Sequence, residues 1–392
     1  MSSERELRVL FVLSTLGLGG AEVWVMALLE YFAANRSPGE PHVTIDICLT
    51  SGRTAYFDDR ARELGAKLFY LEYSRRKMPS FIEGFRKILD QGRYDVIHDH
   101  QDYHAGWHFL AGARHLPPKR VVHLHNTYRT ISSVQGSTVA RRATLKAGKH
   151  LVSSLATDVL GTSRQVLEDY GFVGTRPRSL VVHCGFDVRR FAPGGDEPAQ
   201  VRRELGLPVD SKVMLFVGRL DGSFNQKNHP FAFEVAAALA GREADVRLLV
   251  AGGGDAALEE AIRTISARGL DDSIRFLGQR DDVPRLMKAA DILLFPSIAE
   301  GLGMVAVEAQ AAGLRVLASD SIPRECEVIP GAVTFMPLGR GAGAWADCVQ
   351  SLLTLGPAPR AAWNAEVASS PFSIDWSADA LVEAYSSGSF KS

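Results

Sequence analysis

A glycine-rich turn between a buried strand and a helix is the feature of this sequence that is most suited to binding an anion. The segment Pro296–Gly313 reads PSIAEGLGMVAVEAQAAG and follows the apolar run ILLF. Gly303, Met304 and Val305 are predicted to open the helix, where backbone amides without intrahelical partners point at a ligand. The turn therefore predicts a site for a diphosphate group.

Two glutamates flank this turn and are predicted to bind different parts of a ligand. Glu300 precedes the turn, on the side where a transferred sugar would lie, whereas Glu308 lies about one turn inside the helix. A carboxylate beyond the phosphates can accept hydrogen bonds from both hydroxyls of a ribose. Isolated glutamates near a helix start are commonly solvated side chains that the helix dipole favours. Their combination with the strand, the glycines and the helix favours a binding site.

Arg219 and Lys227 are the cations predicted to meet the charge of such a ligand. Arg219 follows the apolar run VMLFV, and Lys227 comes eight residues later. At the carboxyl end of a sheet, a guanidinium fork and an ammonium group can neutralise the charge that grows on a departing diphosphate. The alternative is a solvated basic loop.

The sequence predicts no metal in this chemistry. It contains no Asp-x-Asp pair, which a metal-dependent nucleotide-sugar site would use, and no P-loop pattern. His100, His104 and His108 would share a helical face if their helix began early, but no fourth zinc ligand is evident.

Four histidines end two predicted strands. His98 and His100 lie in YDVIHDH, and His123 and His125 lie in VVHLHN. Ligands of doubly wound sheets bind at the carboxyl ends of the strands. We therefore expect His125 to lie close to the reacting sugar, with a structural histidine as the alternative.

Three glycines separate the first predicted strand from the first predicted helix. They are Gly17, Gly19 and Gly20. Glu22 stands where the dinucleotide fingerprint requires a third glycine, so that fingerprint is absent. The loop either approaches a substrate closely or forms a tight strand–helix turn.

Short β-branched runs alternate with helical patterns along the whole chain. Several are apolar on both faces, as in strands of a parallel sheet that is covered on both sides. The alternation predicts a doubly wound α/β fold. The predicted strands are Arg8–Ser14, His42–Leu49, Lys67–Leu71, Val96–His100, Val121–His125, Val159–Thr162, Leu180–His183, Val213–Val217, Val246–Ala251, Ile274–Leu277, Ile292–Phe295 and Arg315–Ala318.

The length of 392 residues favours two domains over a single core. We predict Rossmann-like domains at residues 1–190 and 191–373, followed by a C-terminal helical segment at 374–392 that crosses back to the first domain. The segment Phe191–Glu197, reading FAPGGDE, breaks regular structure between the domains. Two such domains would face a central cleft that holds the ligand.

Composition and charge exclude several classes of protein. Charged residues make up 23% and the formal net charge is -1, so nucleic acid is not an expected partner. No apolar run reaches the roughly 18 residues of a membrane span, and no signal-peptide pattern is found. The four cysteines form no CxxC pair, which argues against zinc-knuckle and thioredoxin-type sites. We expect a cytoplasmic protein.

Taken together, these motifs resemble glycosyltransferase family 4, whose members have the GT-B fold of two Rossmann-like domains. The resemblance covers nearly the whole chain. It is strongest in the two glutamates combined with the arginine and lysine, and it is weaker towards the enzymes of exopolysaccharide or capsule assembly. The matching segments are Gly19-Gly20-Ala21-Glu22, YDVIHDH, His125, HCGFDVRRF, VGR with Lys227-Asn228, FLGQRDDV, and Glu300 with Glu308.

The resemblance implies a retaining, metal-independent hexosyltransferase without a cofactor. Its donor would be a nucleotide-sugar, with a UDP-sugar preferred, and its acceptor a glycan, a lipid-linked molecule or a small molecule. Two alternatives stay open: a GDP-sugar-dependent mannosyltransferase and a non-catalytic nucleotide-sugar-binding protein of the same fold. A phosphorylase-like enzyme with pyridoxal phosphate is disfavoured by the short chain.

By matching motif positions, the resemblance also assigns roles to individual residues. Arg219 and Lys227 would hold the diphosphate, Glu308 the ribose and Glu300 the donor sugar. The remaining assigned positions are His125 near the reacting carbon, Gly19 and Gly20 beside donor phosphate or acceptor, Gln279 and Arg280 where the backbone meets the base, and Gly303, Met304 and Val305 at the phosphate.

Two positions depart from the family pattern. Cys184 replaces the usual asparagine in a segment that we expect on the hinge side, where the effect would be small. Val305 replaces a common proline and gains a free amide.

Two basic segments predict peripheral contact with anionic lipid on the inner face of the cell membrane, although charge runs commonly mark solvated helix faces. One is the run Arg75-Arg76-Lys77, and the other comprises Arg141, Arg142, Lys146 and Lys149.

Overall fold

The structure is a computed structural model that describes residues 6–35, 42–128, 131, 138–194, 198–208, 211–220, 226–242, 245–254 and 256–386. The chain divides into two compact units. Unit 1 comprises Met1–Phe186 and Ile374–Ser392, and unit 2 comprises Asp187–Ser373.

Unit 1 contains a seven-stranded parallel sheet with the strand order β3-β2-β1-β4-β5-β6-β7. Its strands are β1 (Glu6–Leu13), β2 (His42–Leu49), β3 (Leu68–Tyr70), β4 (Val96–Asp99), β5 (Lys119–Leu124), β6 (Asp158–Gly161) and β7 (Arg178–Val181). The order reverses between β1 and β4, which is the switch point where doubly wound sheets bind ligands.

Unit 2 contains a six-stranded parallel sheet with the order β10-β9-β8-β11-β12-β13. Its strands are β8 (Lys212–Val217), β9 (Val246–Ala251), β10 (Ile274–Gly278), β11 (Ile292–Phe295), β12 (Arg315–Ser319) and β13 (Val333–Met336). The switch point lies between β8 and β11. The predicted doubly wound α/β fold is thus confirmed, and β13 is the strand that the sequence did not reveal.

Helices connect these strands. They are α1 (Gly20–Ala34), α2 (Asp58–Glu63), α3 (Met78–Gly92), α4 (His104–Gly112), α5 (Val139–Leu155), α6 (Arg164–Tyr170), α7 (Pro198–Glu204), α8 (His229–Ala240), α9 (Ala256–Ala267), α10 (Val283–Ala289), α11 (Met304–Ala311), α12 (Gly341–Leu353), α13 (Arg360–Ala368) and α14 (Ile374–Ser386). Short 3₁₀ turns cover Ala113–His115, Val188–Phe191, Arg324–Cys326 and Leu338–Arg340.

Each unit has its own apolar core, because strands that are apolar on both faces need helices on both sides. In unit 1 the central strand β4 is buried along its whole length, and Phe81, Phe85 and Phe109 pack beside the sheet. In unit 2 the strand β11 is fully buried, and Trp345 of α12 fills the core. Rigid sheets of this kind hold strand-end side chains in fixed positions.

The last helix, α14, belongs to unit 1. The Trp24 indole of α1 donates a hydrogen bond to Ser377 Oγ at 3.0 Å, and the Ile374 amide donates to the Phe186 carbonyl at 3.0 Å. Residues 387–392 of the predicted C-terminal segment lie outside the described residues.

The division between the units falls between Phe186 and Asp187, whereas the sequence placed it between residues 190 and 191. Asn364 of α13 explains the position of the short helix Val188–Phe191. Its side-chain amide donates to the carbonyls of Val188 at 3.1 Å and Ala311 at 2.9 Å, which ties this helix to unit 2. Residues 195–197 of the predicted linker lie outside the described residues.

Candidate active site

Two of the predicted site residues meet at the switch point of unit 2. Lys227 Nζ lies 2.7 Å from Glu300 Oε1, and the side chain of Glu300 is 10% exposed. The same ammonium lies 5.5 Å from the centre of the Phe295 ring, at the end of β11. The pair joins the loop that follows β8 to the loop that follows β11.

Backbone contacts hold these two loops together. Asn228 adopts a left-handed conformation at the start of α8, with φ 56°, and its side chain donates to the Pro296 carbonyl at 3.1 Å. The Ile298 amide donates to the Gln226 carbonyl at 2.8 Å, and the Gln226 side chain donates to the Ala299 carbonyl at 2.7 Å. The ion pair therefore stands on a backbone frame with little freedom. Residues 221–225 of the predicted basic loop lie outside the described residues.

The turn before α11 requires its glycine. Gly303 has φ 92° and precedes the first helical residue, Met304. A Cβ at this position would lie 3.0 Å from the Phe295 ring and 3.1 Å from Ile322. The backbone thus passes close to the core before α11 starts, and the first-turn amides of Met304 and Val305 are available to an anion.

Glu308 lies in α11, one turn beyond this start, and is partly exposed. Burial of its carboxyl group raises its pKa from 4.5 to about 7, and the positive charges of Arg190 and Lys227 oppose that rise. The carboxyl group has no hydrogen-bond partner among the described residues. It is a ready acceptor for hydroxyl groups of a ligand.

Arg219, Gln279 and Arg280 lie at the carboxyl ends of strands in the same sheet. Arg219 is exposed two residues beyond β8. The Arg280 guanidinium forms a two-fold contact with Asp282, at 2.7 and 2.6 Å, so its side chain is already bound within unit 2.

In unit 1, the glycine-rich loop leads directly into α1. Gly19 is the residue before the helix and has an extended backbone. A Cβ on Gly19 would collide with the Glu22 carboxylate, whereas a Cβ on Gly20 would meet open space. Glu22 thus folds back over the helix start, and Gly20 leaves room for a ligand.

His125 follows β5 and is held on both sides of its ring. Its Nε2 lies 3.1 Å from His100 Nδ1, and its Nδ1 lies 3.8 Å from Cys184 Sγ. Burial lowers the pKa of His125 to about 4, so the ring is neutral at physiological pH. The His125 ring therefore carries no charge, and both of its nitrogens lie beside protein partners.

Asp102 is a residue of this site that sequence reasoning missed. Its carboxylate accepts hydrogen bonds from the amides of His125 at 2.8 Å and Asn126 at 3.3 Å, and from the Asn126 side chain at 3.0 Å. Burial nevertheless raises the pKa of Asp102 to about 6. The signal in the sequence was its place two residues after His100, at the end of the neighbouring strand.

Cys184 lies two residues before the boundary of unit 1 at Phe186, on the hinge side that the sequence predicted. Its thiol also lies against the His125 ring, and burial raises the pKa of the thiol. The departure from the family pattern at this position therefore touches a candidate catalytic residue.

The histidines do not group as the helical spacing suggested. His108 Nδ1 lies 2.7 Å from Asp99, and both side chains are fully buried. Among the described residues, the three histidines that each offer a ring nitrogen to one shared position are His98, His100 and His123.

The basic segments lie on exposed parts of unit 1. Arg75, Arg76 and Lys77 are exposed, as are Arg141, Arg142 and Lys146 on α5. Lys149 instead lies over the aromatic rings of Tyr128 and Phe172, at 5.6 and 6.0 Å. Within the described ranges, no helix has both the length and the apolar character needed to cross a membrane.

Two family models match the chain, one in each half. Residues 18–190 match the model described as Glycosyltransferase Family 4, and residues 211–354 match the model described as Glycosyl transferases group 1.

Proteins that are similar in sequence to this chain are also named glycosyltransferases. The chain is 29% identical over 388 residues to the Bacillus subtilis protein named glycosyltransferase EpsF, with 96% of each chain covered. It is 32% identical over 316 residues to the D-inositol 3-phosphate glycosyltransferase of Mycobacterium bovis. That match covers 76% of this chain and 62% of the relative.

Solved structures with the GT-B fold superpose on the chain. Anabaena Alr3699/HepE in complex with UDP and glucose gives a TM-score of 0.73 at 19% identity, with 96% of this chain and 98% of that chain covered. The same protein in complex with UDP-glucose gives a TM-score of 0.72. The predicted GT-B fold is thereby confirmed.

Proposed function

This chain belongs to glycosyltransferase family 4, and from that membership we propose that it is a retaining hexosyltransferase that uses a UDP-sugar without a metal ion. The acceptor is a hydroxyl group of a glycan, a lipid-linked molecule or a small molecule. The similar structure that holds UDP-glucose supports the choice of donor.

The observation that carries this proposal is the pair Lys227–Glu300 beside the turn at Gly303. One ammonium group, one carboxylate and a helix start lie on a single rigid frame, and no Asp-x-Asp pair stands near them in the sequence. A diphosphate needs positive charge and amide donors, and these groups supply both. Glu308 adds an acceptor for the ribose.

In the proposed reaction, the bond between the sugar's anomeric carbon and the diphosphate oxygen breaks, and the bond to the acceptor oxygen forms on the same face. The acceptor's hydroxyl proton moves to the departing diphosphate oxygen. Arg219, Lys227 and the amides at the start of α11 stabilise the negative charge on the diphosphate. Glu300 stabilises the positive charge that develops on the sugar ring.

A panel of melting curves with UDP-, GDP-, ADP- and TDP-sugars tests the donor. A ligand that binds only the folded state raises stability by about 2.7 kcal/mol at 100 times its Kd. We expect the UDP-sugars to raise the melting temperature and a labelled UDP-sugar to be turned over. A rise with GDP-mannose alone would favour the mannosyltransferase, and tight binding without turnover would favour the non-catalytic protein.

The stereochemistry is tested by letting methanol compete as the acceptor. Methyl glycosides do not interconvert in water, so the anomer that is formed records the course of the reaction. We expect the anomeric configuration of the donor in the product, and the opposite configuration would refute retention.

A further inference from the structure

Three buried histidines meet at the carboxyl ends of β4 and β5 in unit 1. His98 and His123 are fully buried, and His100 is 6% exposed. One ring nitrogen from each of the three lies within 4.8 Å of the other two. None of these residues belongs to the phosphate-binding groups of unit 2.

Each of these rings has one nitrogen in a hydrogen bond. His98 Nδ1 lies 2.7 Å from the Tyr385 hydroxyl, and His123 Nε2 lies 3.1 Å from the Val182 carbonyl. Because a carbonyl only accepts, His123 Nε2 carries the proton, and Nδ1 of the same ring presents a lone pair. His100 Nδ1 is bonded in turn to His125.

The second nitrogen of each ring has no partner. His98 Nε2, His100 Nε2 and His123 Nδ1 are buried without a hydrogen bond in the structure. Buried polar atoms normally find a partner, so an unpaired nitrogen on each of these three neighbouring rings calls for a ligand.

This pattern is that of metal-binding histidines, in which one ring nitrogen binds the ion while the other is fixed by a hydrogen bond. We propose that His98, His100 and His123 form a binding site for one zinc-like divalent ion. Neutral imidazoles suit zinc and its neighbours, whereas magnesium and calcium prefer oxygen ligands.

The geometry of the cluster is close to that of a three-histidine zinc site. Ligand atoms around a tetrahedral zinc ion at 2.0–2.1 Å stand about 3.4 Å apart, so the ring nitrogens, which lie within 4.8 Å of one another, need to approach by at most about 1.4 Å. Such sites leave a fourth position for water or an anion. The ion would be resident in unit 1 and is not the counter-ion of the donor diphosphate.

The ion would also act on His125. When His100 Nε2 binds the ion, the ring proton must sit on Nδ1, which then donates to His125 Nε2. This places the proton of His125 on Nδ1, beside Cys184 Sγ. The metal would thus select one of the two neutral forms of the candidate catalytic histidine.

The test is a titration of metal-free protein, prepared by dialysis against a chelator, with Co²⁺ and Zn²⁺. We expect one equivalent of either ion to bind, with the visible absorption of four-coordinate cobalt and a saturable rise in melting temperature. Mg²⁺ should give neither. Absence of uptake by the wild-type chain would overturn the proposal, as would an ultraviolet thiolate band that assigns the ion to a cysteine.

Variants locate the site. His98→Gln and His123→Gln should each weaken Co²⁺ binding at least tenfold, while the matched control His115→Gln, an exposed histidine of the same unit, should bind as the wild type does. If both cluster variants retain wild-type affinity, the proposal is wrong. If one of the two variants does not fold, the Co²⁺ affinity of the other variant and the number of ions bound per wild-type chain still test the proposal.

Discussion

Replacing Glu308 with glutamine should raise the stability of unit 2 at alkaline pH and weaken donor binding at the same time. The carboxyl group has a pKa of about 7 in the folded chain and 4.5 as its ordinary value. At a pH between these two pKa values, the carboxyl group is protonated in the folded state and ionised in the unfolded state. The stability that Glu308 contributes is therefore complete below about pH 4.5 and is lost as pH rises towards 7.

The size of the expected loss of stability depends on the pH range over which stability is measured. Between pH 5.5 and pH 8 the folded carboxyl group titrates over about 1.5 pKa units, which corresponds to about 2 kcal/mol. This is an upper limit because the side chain is partly exposed. For a unit of this size, it corresponds to a shift of about 4–8 °C in melting temperature. Glu308→Gln is neutral at every pH and should not show this loss.

Donor binding should show the opposite trend. The ionised carboxylate accepts hydrogen bonds from the ribose, so the donor KM of the wild type should fall about tenfold from pH 6 to pH 8. In Glu308→Gln the donor KM should be high and should lack this dependence. Calorimetric melting curves and steady-state kinetics at both pH values give the two measurements. If the wild type and the variant respond to pH in the same way, the proton does not reside on Glu308.

Further experiments address the remaining parts of the proposed mechanism. Glu300→Gln should lower kcat by about 10²-fold with little change in donor KM, because Glu300 should stabilise charge that appears only in the transition state; a fully active variant would contradict this role. Activity should not depend on added Mg²⁺ or Mn²⁺, because the diphosphate needs no metal ion, and a loss of activity in EDTA that either of these ions restores would contradict this. The chain should sediment with vesicles of anionic lipid at low salt and should be released from them at high salt. The double variant Arg141→Gln, Arg142→Gln should bind these vesicles more weakly, by about 1 kcal/mol per replaced residue. Absence of sedimentation at low salt would remove the membrane hypothesis.

The sequence alone located most of the strands, because buried parallel strands are short, continuous apolar runs with clear ends. His42–Leu49, Val246–Ala251 and Ile292–Phe295 were predicted with the bounds that the structure has. The strand Val333–Met336 was missed because it is short and lies at the edge of its sheet, where most of its side chains are only partly buried. The start of α11 at Met304 was also predicted, since Gly303 marks the turn.

Local sequence also placed Glu300, Gly303 and Glu308 correctly relative to one another, since all three lie within one strand–turn–helix segment. Such a segment is governed by turn chemistry and helix periodicity, which act over a few residues. The contact between Lys227 and Glu300 spans 73 residues and depends on the pairing of β8 with β11. A pattern in the local sequence cannot predict a contact between two residues that lie so far apart in the chain.

Tertiary structure decided what surrounds His125. Cys184 is 59 residues away in the chain, yet its thiol lies against the ring, and Asp102 reaches the His125 amide across 23 residues. It also decided which residues of unit 1 contact α14, where Tyr385 meets His98 across 287 residues. The chain's own periodicity determined which elements form and where they end, whereas the order of strands in the sheets determined which strand ends are neighbours. Side chains that share no local pattern become partners only through that order.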